Sequence, residues 1–164
     1  MKYLLDANVF IAANNLHYGL DFCPAFWDWL VQSNAKEKVF SIEKVGDEID
    51  AGEDQLSIWA STLNEHFFLK PDSEVLSAMA DVSNWVTGNG YNSAAINTFL
   101  QVADYWLISH ALAHQLVVVT HEKPAETPNK VKIPNVCVGL DIKVMTPFEM
   151  LRHERARFVL GSTS

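Results

Sequence analysis

Four acidic residues stand out by their positions at the ends of predicted strands or on predicted helices. Asp6 follows the first short apolar run, and Glu122 comes just after a run of three valines and a threonine. In an open α/β sheet, ligands bind beyond the carboxyl ends of the strands, so we expect both acids at one edge of the sheet. Asp104 stands near the start of a late predicted helix, and Glu48 lies on an early one.

Four carboxylates that converge on one edge of a sheet suggest a specific chemistry. They repel one another, and their pKa values rise unless cations lie between them. Hard oxygen ligands of this kind suit Mg²⁺ or Mn²⁺. Such ions can activate water and stabilise the charge that develops in an attack on phosphate. The acids therefore predict metal-dependent chemistry on a phosphate ester.

Each of these acids also has a structural explanation. Asp6 could cap the first predicted helix, although Asn8 is the more direct cap. Glu48 could lie on a solvated helix face, and Glu122 could belong to a polar loop. Asp104 has apolar neighbours on both sides, and burying a carboxylate without a partner is costly. It is therefore either buried with a partner or functional, and the pattern alone leaves these alternatives open.

The elements that must position the acids alternate between short strands and helices. Strands are predicted at Tyr3–Leu5, Val39–Ile42, His66–Leu69, Leu116–Thr120, Val136–Val138 and Lys143–Met145. Helices are predicted over Val9–Leu16, Cys23–Val31, Leu56–Leu63, Ser73–Val86, Ala94–Leu100 and Val102–His114, with others starting at Glu43 and Pro147. This alternation, without an internal repeat, predicts an α/β fold with a mostly parallel central sheet.

Composition narrows the class of protein. The chain has 164 residues, of which 49% are hydrophobic and 20% charged, as in a folded globular domain. We expect one domain over residues 1–164, with a frayed tail after about residue 157. The net charge of −8 argues against broad electrostatic binding of nucleic acid. It is compatible with a nuclease whose acidic site is neutralised by divalent cations.

The cellular compartment is predicted from the apolar runs, the first residues and the two cysteines of the sequence. The apolar runs are too short to span a membrane, and Asp6 interrupts what would be a signal peptide. Cys23 and Cys137 are far apart in sequence and make no metal-type pair. We expect free thiols in a reducing compartment, which predicts a cytoplasmic location.

Five short segments, taken in order, resemble a known family. They are Leu4–Ile11, Val45–Ile49, Ala103–Ile108, Val118–Glu122 and Met145–Leu151. Each is a weak motif alone, but the ordered set resembles the PIN-domain family. That family comprises Mg²⁺- or Mn²⁺-dependent ribonucleases and includes the VapC-type toxins of toxin–antitoxin pairs. The resemblance spans essentially the whole chain and implies a three-layer α/β/α fold.

The resemblance assigns roles to particular residues. The residues implied in catalysis and metal binding are Asp6, Glu48, Asp104 and Glu122. Asn8 and Thr120 are implied as auxiliary residues of the same pocket. Glu122 is a departure, because family members commonly carry Asp at this position. The resemblance further implies Mg²⁺ or Mn²⁺ as cofactor, RNA as substrate, a protein antitoxin as partner and a homodimer.

Other side chains and other functions also have to be considered. Lys123, Lys130 and Lys132 could contact an RNA backbone, although a solvated face is the commoner explanation of such residues. An aspartate-nucleophile phosphatase also places Asp after its first strand, but it usually carries a second Asp where Asn8 stands. A non-catalytic RNA- or protein-binding module with the same fold is the third alternative.

Overall fold

Residues 1–161, which the computed structural model describes, form a five-stranded parallel sheet with flanking helices. The strands are β1 (Tyr3–Leu5), β2 (Val39–Ile42), β3 (Phe68–Leu69), β4 (Val117–Val119) and β5 (Val144–Met145). The helices are α1 (Ala7–Ala12), α2 (Pro24–Ala35), α3 (Glu43–Asp50), α4 (Gln55–Ser61), α5 (Ser73–Thr87), α6 (Ser93–Phe99), α7 (Ala103–His114), α8 (Ile133–Gly139) and α9 (Pro147–His153). A π-helical turn, Ala13–His17, continues α1.

The strand order is β3-β2-β1-β4-β5, and every pair of neighbours is parallel. Tyr3 of β1 is in register with Val39 of β2 and with Val117 of β4. The carboxyl ends of all strands therefore lie at the same edge. The α/β prediction and the prediction of a parallel sheet are both confirmed.

Both faces of the central strands are covered. All residues of β1 and β4 are buried. Because side chains alternate between the two faces of a strand, complete burial requires packing on each face. The fold is thus a three-layer α/β/α arrangement. The core around β1 includes Phe10, Leu107 and Ile133, all fully buried.

Two predicted elements differ from the structure. The segment Val136–Val138, predicted as a strand, lies within helix α8, whose first turn contains Pro134. A short apolar run fits a buried strand and a buried helix equally well, so periodicity could not distinguish them. The first helix begins at Ala7 rather than near Val9, because the Asp6 side chain caps it.

Beyond α9 the chain still contacts the core. Phe158 packs edge-on against Tyr18 and Phe26, although fraying was predicted after about residue 157. Residues 162–164 of that predicted tail lie outside the described residues. Cys23 and Cys137 are free thiols, as predicted. In residues 1–161 no helix is both long enough and apolar enough to cross a membrane.

Candidate active site

Asp6 directly follows β1 and caps α1. Its role as a helix cap is therefore compatible with a role in the site. Its Oδ1 accepts a hydrogen bond of 2.7 Å from the Ala7 amide, and its Oδ2 accepts one of 2.9 Å from the Thr120 hydroxyl. The residue is only 6% exposed. The cap fixes the carboxylate at the carboxyl edge of the sheet, where ligands bind in this class of fold.

Thr120 connects the ends of β1 and β4. Its hydroxyl donates to Asp6 and accepts from the Asn8 side-chain amide at 3.2 Å and from the Glu122 backbone amide at 3.0 Å. Asn8 in turn accepts from the His121 backbone amide at 3.2 Å. A hydroxyl has one donor and two acceptor sites, so this one is fully used. The two residues predicted as auxiliary thus hold Asp6 and the turn after β4 together.

Asp104 lies between the other acids, in the first turn of α7. Burial, followed by the nearby Glu122 and Glu48 carboxylates, raises the pKa of Asp104 to about 6, while Lys130 acts in the opposite direction. Burial and Asp104 raise the pKa of Asp6 to about 7, against the hydrogen bonds from Thr120 and Ala7. These carboxylates therefore repel one another, as the sequence predicted for a converging set.

Glu122 and Glu48 are held less closely to this centre. Glu122 is half-buried, and its Oε1 accepts a hydrogen bond of 3.1 Å from the backbone amide of Ile133, the first residue of α8. Glu48 is exposed on α3 and lines the same cavity as Asp104. Glu122 is therefore a helix anchor as well as a neighbour of the acids.

The chemistry of the donors fits a divalent cation, but their spacing is open. The side chains that face one another here are carboxylates, the ligand type that Mg²⁺ and Mn²⁺ prefer. Across residues 1–161, no three His, Cys, Asp or Glu side chains come close enough together to form a metal-binding group. The acids thus interact through space, and a shared cation would require Glu48 or Glu122 to move inward.

A cavity of about 740 Å³ opens beside Asp104. Its walls come from α3, α6, the start of α7 and the loop before α8. The residues that line it are Lys44, Glu48, Ala94, Ala95, Thr98, Phe99, Val102, Ala103, Asp104, Asn129, Lys130 and Val131. A volume of this size is within the usual range for small-molecule sites, roughly 300–1,000 Å³.

Comparison with known proteins identifies a family. The family model described as Domain of unknown function (DUF4411) matches residues 3–158. The chain belongs to the DUF4411 family. Its fold is similar to that of a chain in the crystal structure of VapBC2 from Rickettsia felis bound to a DNA fragment from their promoter. The TM-score is 0.55 at 15% identity, covering 89% of this chain and 98% of that one. No curated protein matches it.

The lysines predicted to contact RNA occupy different positions in this DUF4411 chain. Lys130 lines the cavity and acts electrostatically on Asp104. Lys123 is exposed and Lys132 is half-buried, and neither contributes to the cavity wall. Lys44 does line it and was missed by the sequence analysis. The available signal was its position four residues before Glu48, which places both on one helix face.

Four of the six histidines of this DUF4411 chain lie in two pairs, one on α7 and one after α1 and β4. His110 is buried on α7, and burial lowers its pKa to about 4, while His114 approaches Asp72 at 2.8 Å. These two therefore serve the packing of α7. His17 and His121, not singled out by the sequence analysis, lie with their ring centroids 5.5 Å apart and their planes tilted by 35°. Their proximity depends on the π-helical turn after α1, which the sequence pattern did not indicate.

Proposed function

We propose that this chain is a metal-dependent endoribonuclease of the PIN type. The observation that carries the proposal is the mutual repulsion of Asp6, Asp104 and Glu122 at the carboxyl edge of a parallel sheet. Carboxylates that face one another with strongly perturbed pKa values are characteristic of functional sites. The order of the sequence motifs supports the same reading.

Asp6, Glu48, Asp104 and Glu122 would hold Mg²⁺ or Mn²⁺ in the proposed enzyme. Such an ion, when bound, supplies charge neutralisation and makes water a stronger nucleophile. The chain's own contribution is positional. Thr120 and Ala7 fix both oxygens of Asp6. Lys130 provides positive charge beside Asp104, where the phosphate of a bound RNA would lie.

We further propose that the enzyme is the toxin of a toxin–antitoxin pair and acts in the cytoplasm. Its fold likeness to a chain of the VapBC2 complex supports this part of the proposal at the level of fold. A protein antitoxin would then be its partner, and RNA its substrate. The homodimer implied by the PIN resemblance stays a prediction, to be measured as the mass of the protein in solution.

The aspartate-nucleophile phosphatase is disfavoured by the residue two positions after Asp6. That mechanism usually uses a second carboxylic acid there as acid and base, whereas this chain carries an amide, Asn8. Asn8, which stands at the position of the expected acid–base residue, is bonded to Thr120 and His121. A purely non-catalytic module would gain nothing from keeping repelling acids together.

Cleavage of mixed RNAs by the purified protein tests the proposal. Activity should require Mg²⁺ or Mn²⁺ and stop with EDTA. Asp104→Asn should lower the rate by more than the ~10–100-fold typical of changes at residues that only support metal ligands. Asp47→Asn is the matched control, because Asp47 is an exposed acid on α3 away from the cavity. Full activity in EDTA, or a phosphorylated Asp6, would falsify the proposal.

A further inference from the structure

The cavity beside Asp104 has an apolar wall that the proposed phosphate chemistry does not use. Helix α6 contributes Ala94, Ala95 and Phe99, and the wall continues with Val102 and Val131. Ala95, Phe99 and Val131 are at most 6% exposed, so this wall is anchored in the core. A phosphate group makes no favourable contact with such a surface. The wall is suited to a flat, apolar part of a ligand.

Positive charge stands at the same cavity. Lys44 and Lys130 both line it, in a chain whose net charge is −8. The Lys44 ammonium lies 5.3 Å from the centre of the Trp106 ring, a cation–π contact that restrains this otherwise exposed side chain. The cavity therefore combines an apolar wall with two lysines, beside the Glu48 and Asp104 carboxylates that also line it. This combination suits a ligand that has a flat ring and an anionic group within reach of the lysines.

The cavity is held open by hydrogen bonds between its walls. The Asn92 side chain caps α6 by accepting from the Ala95 amide at 2.8 Å. Its amide group donates to Asn129 at 3.0 Å, and its backbone amide donates to the Pro128 carbonyl at 3.0 Å. One residue thus fixes the spacing between α6 and the loop before α8. A preformed site loses less free energy to ordering when a ligand binds.

We infer that this cavity is a subsite that takes one nucleobase of the RNA beside the scissile phosphate. The base would lie against the wall of Ala94, Phe99 and Val102, and Lys44 and Lys130 would hold a flanking phosphate. The inference rests on the proposed ribonuclease function. It adds that recognition includes a base and involves Lys44, which neither the motifs nor the acids indicate.

Filling the cavity tests the base subsite. Ala94→Trp should weaken binding of a fluorescein-labelled single-stranded RNA, measured by anisotropy in EDTA, by about tenfold or more. Ala25→Trp is the matched control, because Ala25 is also an exposed alanine at the second position of a helix, outside the cavity. Thr98→Trp provides a second cavity variant, and a thermal melt checks the fold of each. Wild-type affinity in both folded cavity variants, or no binding by the wild type, overturns the inference.

The role of Lys44 has its own readout. For single-stranded nucleic acid, each phosphate contact contributes about 0.7 to the slope of log affinity against log salt concentration. Lys44→Gln should therefore lower that slope by about 0.7. Lys143→Gln makes the same change of charge at the opposite edge of the sheet, just before β5, and should leave the slope unchanged. Equal slopes for Lys44→Gln and the wild type would contradict the phosphate contact.

A substrate without a base separates this inference from the proposed function. An abasic oligoribonucleotide has the same phosphodiester backbone, with neither a nucleobase nor another aromatic ring that the apolar wall could bind. Ala94→Trp should lose RNA cleavage through a raised KM and still hydrolyse this compound, whereas Asp104→Asn should lose both activities. If Ala94→Trp cleaves RNA as the wild type does while Asp104→Asn is inactive, the subsite fails and the ribonuclease stands. If Asp104→Asn still cleaves RNA, the ribonuclease site itself is wrong.

Discussion

Glu122 shows how one methylene group can serve two purposes. Its Oε1 accepts from the Ile133 amide at 3.1 Å, and its own backbone amide donates to Thr120 at 3.0 Å. The carboxylate therefore reaches from the end of β4 to the first residue of α8 and still lies near Asp104 and Asp6. Aspartate at this position would have a shorter reach by about 1.5 Å, the length of one carbon–carbon bond.

Substitution of Glu122 should distinguish the anchor from the charge. Glu122→Gln keeps an oxygen for the Ile133 amide, so it should preserve stability and lower cleavage less than Asp104→Asn does. Glu122→Asp keeps the charge but loses the reach, and should destabilise the fold by about 1.5–3 kcal/mol, the size of a hydrogen bond to a charged group. Urea unfolding and RNA cleavage, measured on the same preparations, give both quantities.

A different result would contradict each of the two roles of Glu122, as a carboxylate of the site and as the anchor of α8. If Glu122→Gln leaves the rate and the Mg²⁺ dependence unchanged, the site contains three carboxylates and Glu122 is an anchor only. If Glu122→Asp is as stable as the wild type, the bond to Ile133 contributes nothing and the anchor is wrong.

At the scale of elements, the sequence predicted most strands and helices because their signals are local. Proline in the first turn indicated α2 and α9, and the valine run indicated β4. The signal failed where tertiary packing decides. The run around Cys137 is apolar enough for a strand, yet it forms α8, which Glu122 anchors at its first residue. Pro134 in the first turn was the local signal for this helix, whereas the apolar run after it carries no sign of the contact with Glu122.

The site was predictable to the same extent. The acids follow from their positions at strand ends and helix starts, because a parallel sheet brings these to one edge. The cavity was not predictable, because its walls come from α3, α6 and a loop that are distant in sequence. Only α6 and the loop are joined directly, through Asn92 and Asn129. Glu48 is exposed because of how α3 packs, and a sequence pattern does not specify how one helix packs against the others.

The last helix is tied to the amino-terminal edge of the sheet by one carboxylate. Glu154, which follows α9, accepts from the Tyr3 hydroxyl at 2.7 Å and from the Lys38 ammonium at 2.8 Å. Burial alone would raise its pKa, but the hydrogen bonds from Lys38, Tyr3 and His153 outweigh burial and hold the pKa at about 2. The ionised form is therefore favoured by folding.

This contact predicts a stability that depends on pH. The folded pKa of Glu154 lies below its ordinary value of 4.5, so its contribution is present above pH 4.5 and lost as the pH falls toward 2. Glu154→Gln should lower the free energy of unfolding by about 1–3 kcal/mol at pH 7, and by less at pH 3. Glu65→Gln, on a side chain that is 86% exposed, is the control. Equal losses at both pH values would contradict the ionic role.

At the scale of the whole molecule, the strand order explains why acids so distant in sequence repel one another. β1 lies between β2 and β4, so the end of the first strand adjoins the turn that carries Glu122, and α7 brings Asp104 between them. The folded chain concentrates negative charge in one place although its net charge is already −8. Without a cation, folding must then work against this repulsion.

That cost should be measurable as a difference between the wild type and Asp104→Asn in EDTA. The pKa of Asp104 is about 6 and that of Asp6 about 7, both raised from 3.8. For a carboxyl whose pKa rises on folding, the stability it contributes is full below pH 3.8 and is lost as the pH rises through the folded value. Asp104→Asn removes one charge and should therefore gain stability over the wild type as the pH increases from about 4 to 7.

The difference in free energy of unfolding between Asp104→Asn and the wild type distinguishes a metal ligand from a structural ion-pair partner. The variant should exceed the wild type by on the order of 1–3 kcal/mol at pH 7.5 and by little at about pH 4. Comparing the two proteins cancels the opposite trend from buried His110, whose pKa is lowered to about 4. Saturating Mg²⁺ should reverse the order, because only the wild type binds it with full charge. If Asp104 were instead the structural ion-pair partner of Lys130, the variant would be less stable by ~3–5 kcal/mol without metal. Urea unfolding at both pH values, with EDTA and then with Mg²⁺, separates the two outcomes.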